Sequence, residues 1–429
     1  MSATENPAVT ENHTAAENHA VPDDLLEPSA SADPYPVLRE LRAADPVHWS
    51  DKHGAWLLTR YDDVSAAFQN KAFSSDRVRP LLAARAERPG QPEATTAVLG
   101  LMASWMVVSD PPAHTRLRKL AAGAFKGQGI ARMDGMITRI VDEHIDGFLR
   151  DSGAQDLIEH IAYPLPTTVI ATMLGAAPED RDRFREWSDE LALVAFGAGG
   201  TARAERHERA LRGLREMDAY IRELIAKRRT DPGEDMLSAL MAHDGDADHL
   251  SDDELVAMCA LLLFAGHETT TNSIANSLLA LLRRPDQLDR LREDPALIGP
   301  AVEELLRFDG PIKVLIRWVV AETEVGGRTI SPGERVHLVL AAANRDPAKF
   351  TDPDSLDLGR APNPHLAFGK GIHACIGAQL ARMETRIAVS RILARIPGLA
   401  LAGDPQWKAS LASRAMETLP VTHGAGRTA

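Results

Sequence analysis

From Tyr35 onward, apolar residues recur at three- and four-residue intervals, the period of a helix with one buried face. The segments PYPVLRELRAA, 136 to 150, 179 to 195, 204 to 229 and 251 to 284 all read this way. In the last, Ser251 and Glu254 form a capping box and no breaker follows until Pro285. About 34 residues at 1.5 Å each make a rod of roughly 50 Å, long enough to cross a whole domain. Strand-like alternation is scarce: WLLTRY (56 to 61), RWVVAETEVGGRTI and GERVHLVLAA, with turn signals at Gly326-Gly327 and Pro332-Gly333. No interior linker breaks the pattern, so one large domain over residues 31–429, mostly α with small β-sheets, is the expected architecture. The pattern fails only at the start. Residues 4 to 21 read TENPAV, TENHTA, AENHAV, a degenerate repeat with almost nothing to bury, so 1–30 read as a disordered low-complexity tail.

Composition narrows the partners. A chain of 429 residues, 44% hydrophobic and 25% charged, buries a large core. Its net charge of -13 argues against nucleic acid, whose phosphates demand a basic excess. The longest apolar run, LVAMCALLLFAG (255 to 266), is shorter than the roughly 18 residues of a membrane span. The N-terminus has no signal-peptide pattern, and neither a membrane nor a secretory route is expected. Cysteines stand only at 259 and 375, which excludes a disulfide framework and makes a reducing cytoplasm the default.

Those two cysteines differ in context. Cys259 lies in LVAMCALLL and reads as a buried small hydrophobe. Cys375 lies in FGKGIHACIG (368 to 377), crowded by Gly369, Gly371 and Gly377 just where a helical pattern begins. Glycines let a backbone approach something flat, and a helix N-terminus favours a thiolate. A nucleophile assisted by His373 would make a cysteine hydrolase, although no hydrolase signature accompanies it. Structural zinc needs more sulfur than one cysteine supplies. A haem with one axial thiolate needs only this cysteine and room for a flat ring.

Phe368, Gly369, Gly371, His373, Cys375 and Gly377 resemble the cysteine-ligand loop of the cytochromes P-450, the haem-thiolate monooxygenases. Other segments follow the same family in order. AGHETTTN (265 to 272) interrupts the long apolar helix with small and polar residues and resembles the oxygen-binding groove. There Ala265 and Gly266 would leave space for dioxygen, and the acid-alcohol pair Glu268 and Thr269 would relay protons. PAVEELLRFDGP sets Glu304 and Arg307 at i, i+3, by itself an ordinary surface ion pair. By resemblance it is the Glu-x-x-Arg element, completed by Arg360 as a structural triad. SDPPAHTRLRKL puts His114 and Arg118 on one helix face, and the family uses these positions with Arg317 and His373 to hold the haem propionates.

The resemblance spans about residues 30 to 425 and implies an enzyme binding haem b (iron protoporphyrin IX) through Cys375. It would use dioxygen to oxidise, by default hydroxylate, a mainly apolar small molecule such as a secondary metabolite. Peroxide-driven, coupling or nitrating chemistry and a non-enzymatic haem sensor are the alternatives. The chain has no flavin or iron-sulfur pattern of its own, so electrons from NAD(P)H would arrive through a ferredoxin reductase and a ferredoxin. Lys119, Lys126, Lys370 and Arg382 are the expected docking patch. Substrate-pocket candidates are the stretch from Arg77 to Val108, residues 191 to 203, Leu262, Ala265, Val314, Leu315, Ile316, Ala415 and Met416. Lys313 departs from the acid or neutral residue common in relatives and leaves substrate polarity open.

Overall fold

The computed structural model describes residues 23–86, 93–127, 133–195, 203–242 and 249–424. The tail expected over 1–30 lies mostly outside them. Its last part does not behave as a tail: Leu25 is 2% exposed, and Arg414 donates to the carbonyls of Ser31 (2.5 Å) and Ala32 (2.9 Å). Leu25 packs with Leu38, Leu41 and Leu57, so the fold begins before Tyr35.

The helices that position the site are α1 (Ala113–Gly127), α2 (Pro164–Met173), α3 (Arg181–Ala195), α4 (Arg203–Thr230), α5 (Asp252–Leu282), α6 (Ile298–Asp309) and α7 (Ala378–Arg395). Helix α5 is the predicted rod. The Ser251 hydroxyl accepts the Glu254 N–H (3.2 Å), and the Glu254 carboxylate accepts the Ser251 N–H (3.0 Å), so both orphan donors are satisfied. Helices α2, α3, α4, α6 and α7 pack around it, which buries it on almost every side. A helix apolar all round suits that central place. Among the described residues, no helix is long and apolar enough to cross a membrane.

A five-stranded sheet flanks this helical body. Its strands are β1 (Val47–Ser50), β2 (Ala55–Leu58), β3 (Phe73–Ser74), β4 (Val314–Val319) and, after the hairpin of β5 (Thr323–Val325) and β6 (Arg328–Ile330), β7 (Arg335–Val339). Their order is β1-β2-β7-β4-β3. The hairpin turns at Gly326 (φ 56°) and Gly327 (φ 78°), left-handed values that explain the glycine pair. Register divides the two faces. Trp56, Leu58, Val336 and Leu338 join Tyr61, Phe68 and Leu366 on one side, while Leu57, Val314 and Val339 join Leu25 and Leu41 on the other.

Residues 344–377 contain little helix or strand. The guanidinium groups of buried Arg307 and partly buried Arg360 tie them down instead. Arg307 donates to the carbonyls of Asn344 (2.9 Å), Pro353 (2.8 Å) and Ser355 (3.1 Å), and Arg360 to those of Thr351 (2.7 Å) and Asp352 (3.2 Å).

Candidate active site

Cys375 sits three residues before α7, in a loop whose shape its glycines permit. Gly369 (φ 66°) and Gly371 (φ 72°) are left-handed, and a Cβ on Gly371 would come within 2.9 Å of the Phe68 carbonyl. The loop is therefore pressed against the sheet side of the molecule. Gly377 serves differently, because a Cβ there would meet no protein atom within 4 Å. Of the expected close-approach glycines, it is the one beside open space. The Cys375 N–H donates to the Phe368 carbonyl (2.9 Å) and fixes the thiol's direction.

The two thiols sit in different surroundings. Cys259 is buried in the core, and burial pushes its thiol up to about 12. Cys375 is exposed, yet the protein around it still raises its thiol by desolvation, opposed by the Gly377 N–H and the charges of Arg118 and Arg382. An exposed thiol inside a desolvating wall faces an internal opening.

An accessible point also lies on α5. Ala265 is exposed midway along the most buried helix of the fold, while Leu262 one turn earlier is buried. The Thr269 hydroxyl donates to the Ala265 carbonyl (2.7 Å), a bond back to residue i−4 that bends a helix locally. Burial raises Glu268 to about 7, with Lys408 opposing, Asp189 adding and Asn272 bonding to it; its Oε2 has no partner. Gly266 points elsewhere, since a Cβ on it would meet Ile170 of α2 at 3.6 Å. Its missing side chain eases helix packing rather than making room beside Ala265.

Basic side chains gather around His373. His114, 2% exposed, has both ring nitrogens unpartnered, and its ring lies 4.0 Å from that of His373. Burial, then His114, Arg317, Arg118 and Arg77, hold His373 down to about 3, so its imidazole is neutral. Arg317 is lowered to about 10 by burial and by Arg77, with Asp110 opposing. Asp110 is already engaged by the Ser74 hydroxyl and the Ser75 N–H (3.0 Å). Arg77 thus joins the expected group of His114, Arg118, Arg317 and His373, although the sequence places it only at the edge of the pocket.

The triad assembles. Glu304 and Arg307 have fully buried side chains and form a two-pronged pair (2.7 and 2.8 Å), and Arg360 Nε donates to both Glu304 oxygens (3.0 and 3.1 Å). The Asp357 N–H and the Asn363 amide complete the carboxylate's partners.

The pocket candidates divide. Ala265 is exposed, and Leu315 and Ile316 are half-buried. Val314 is corrected: strand alternation turns it into the cluster with Leu25, away from the face carrying Leu315 and Arg317. Leu262 and Met416 are packed into the main core, and Ala415 is fully buried. Trp105, from the stretch after Arg77, stacks on Phe264 of α5 at 5.4 Å. Residues 87–92 of that stretch and 196–202 of the second one lie outside the described residues. Glu384 on α7 carried no sequence signal. It is buried with one oxygen unpartnered, and desolvation raises it well above the carboxylate range.

Comparison with known proteins places this arrangement. The cytochrome P-450 family model matches residues 48–396. The vitamin D(3) 25-hydroxylase of Pseudonocardia autotrophica is 41% identical over 409 residues, covering 94% of this chain and 96% of its own. The monooxygenase PikC of Streptomyces venezuelae is 40% identical, covering 93% of each chain. Among solved structures, the cytochrome P-450 PksS of the Bacillus subtilis 168 bacillaene polyketide synthase superposes with a TM-score of 0.82 at 34% identity, covering 92% of this chain and 98% of its own. The family's cofactor is haem b, and its bacterial members typically draw electrons from redox partners. The residues present suit that cofactor: a single open thiol, a glycine that adds no side chain beside it, and the unpartnered ring nitrogens of His114 and His373, with Arg77, Arg118 and Arg317 around them, for two carboxylates. Sequence, fold and donor set agree that this chain belongs to the cytochrome P-450 family, as a haem-thiolate monooxygenase.

Proposed function

We propose that Cys375 would bind the iron of haem b through its thiolate and that His114, Arg118, Arg317 and His373, with Arg77, would receive its propionates. The observation that carries this is the pair of unpartnered histidines, His114 and His373, set among Arg77, Arg118 and Arg317, with Arg118 also acting on the exposed thiol. Haem b, when bound, supplies dioxygen activation and oxygen transfer, and the thiolate's electron donation favours O–O cleavage. The chain's own residues orient and move protons. The Gly377 N–H, Arg118 and Arg382 offset the desolvation of the Cys375 thiolate. Ala265 keeps the α5 face low beside the opening, and Phe368 and Gly369 shape the far side of the cysteine loop. Glu268, near pH 7 by burial, takes a proton from solvent, and the Thr269 hydroxyl passes it toward the reacting oxygen. Glu304, Arg307 and Arg360 hold the irregular segment that precedes the cysteine loop and do no chemistry.

The substrate in this reading is a mainly apolar small molecule, a secondary metabolite in character, that is hydroxylated beside Ala265. Electrons arrive from NAD(P)H through a ferredoxin reductase and a ferredoxin, in the cytoplasm. The test is spectroscopic. The reduced protein with carbon monoxide is expected to show the strongly red-shifted Soret band of thiolate ligation, and Cys375→Ala to lose it. A band that survives in Cys375→Ala overturns the assignment.

A further inference from the structure

Glu303 stands on α6 beside Glu304 of the triad, and neither the sequence motif nor the mechanism above uses it. Its carboxylate reaches the cysteine loop from two sides. Arg382 of α7 grips it with two prongs, at Oε1 (2.6 Å) and Oε2 (2.9 Å). His365 meets Oε2 through Nε2 (3.1 Å) while its Nδ1 accepts the Ala367 N–H (3.2 Å), so the ring proton lies on Nε2 and donates to Glu303. Burial works against the charge on Glu303, but the hydrogen bonds from His365 and Arg382 outweigh it and hold the carboxyl down to about 2.

Phe368 lies between the two arms. The Arg382 guanidinium sits over its ring, 4.3 Å from the centroid, and the His365 ring stands 6.0 Å away. The Phe368 carbonyl is the one that accepts the Cys375 N–H (2.9 Å). Contacts at both ends therefore fix Arg382 relative to the thiol, and against the desolvation of Cys375 its charge favours the thiolate. The side chains of Arg382 and Glu303 are 39% and 30% exposed, and a pair so open to water adds little stability. Its place against the cysteine loop points to electrostatics instead.

We propose that Glu303 and Arg382 are positioning residues that set the reduction potential of the haem through the Cys375 thiolate. This rests on the reading above, in which Cys375 binds the iron. Reduction adds one electron to the thiolate-bound centre, and a fixed positive charge nearby favours the added negative charge. Arg382 raises the potential, while Glu303 holds it in place and tempers it with the opposite charge.

The test is a spectroelectrochemical titration of the substrate-free holoenzyme and its variants. Arg382→Met keeps a long side chain without the charge, and should weaken the reduction equilibrium by about 3- to 10-fold, a fall of roughly 30 to 60 mV. Glu303→Gln should shift it the other way, because Arg382 keeps its seat on Phe368 without the countercharge. Arg382→Lys should stay nearer the wild type than Arg382→Met, and Glu303→Gln combined with Arg382→Met should fall between the two single variants. A brace that only holds the loop predicts shifts of one sign in both. Shifts of the same sign, or an unchanged potential in Arg382→Met, overturn the proposal. Arg382 is partly exposed and tolerates replacement, so Arg382→Met decides the matter alone if Glu303→Gln sheds its haem. Failure of the haem-thiolate reading shows separately, as a missing red-shifted carbon monoxide band in the wild type, whereas this proposal fails with that band intact.

Discussion

Glu268, beside Thr269 on α5, is an acid whose proton affinity burial lifts into the working pH range. Its ordinary value is 4.5 and burial lifts it to about 7, so between these pH values the folded protein keeps a proton that the unfolded chain has lost. Stability must therefore fall as pH rises from about 4.5 to 7, by at most about 3 kcal/mol. Glu268→Gln should remove that slope, melting above the wild type at pH 8 and equally at pH 4, while turnover drops. Equal melting differences at both pH values would contradict it. Thr269→Ala should still bind substrate and consume reductant but release more peroxide per product; unchanged coupling would remove the hydroxyl from proton transfer. Residues inside a local pattern can be singled out from sequence, as Cys375, His373, Glu268 and Thr269 were. Arg77 and Glu384 were not, because an arginine in a loop and an acid on a helix gain meaning only from what the fold brings against them. Gly266 shows the reverse error, since the direction of a missing side chain cannot be read from a motif.

At the scale of elements, periodicity placed the long helices well. The rod predicted at 251 to 284 is α5, Asp252–Leu282, with its capping box in place. Helix α2 was missed, because PLPTTVIATM mixes prolines with β-branched residues and is buried all round, which leaves no polar face to reveal a period. The Glu-x-x-Arg spacing on α6 was visible, but the carbonyls that Arg307 binds were not, since they come from irregular chain 37 to 48 residues away. Those contacts set the expected cost of disruption. Glu304→Ala strands Arg307 and Arg360 together, and chemical denaturation should report a loss of about 3 to 5 kcal/mol with poor haem retention. A stable, haem-replete variant would show that the triad is dispensable.

Across the whole molecule, a net charge of -13 makes exposed lysines near the cysteine loop the natural landing site for an acidic electron donor. The patch expected from sequence shrinks on inspection. Arg382 is spent on Glu303 (2.6 and 2.9 Å) and stacks on Phe368, and the Lys126 side chain lies outside the described residues. Lys119 and Lys370 remain, both exposed, with Ile372 at 52% exposure beside the latter. Reduction by a small acidic ferredoxin should slow as salt rises to physiological strength, where the Debye length is about 8 Å. Charge reversal at Lys119 and Lys370 together should slow it further and leave substrate binding intact. Rates indifferent to both changes would place the donor elsewhere. The tie between this face and α6 has one more consequence. In residues 344–366, where helix and strand are sparse, the Asp357 N–H is held by Glu304 (3.0 Å) and the Leu366 N–H by the Asn344 side chain (2.7 Å), while Arg307 holds the Asn344 backbone carbonyl. Amides there should exchange with deuterium as slowly as those of buried helices, and a protease should find no cut in what looks like a long loop.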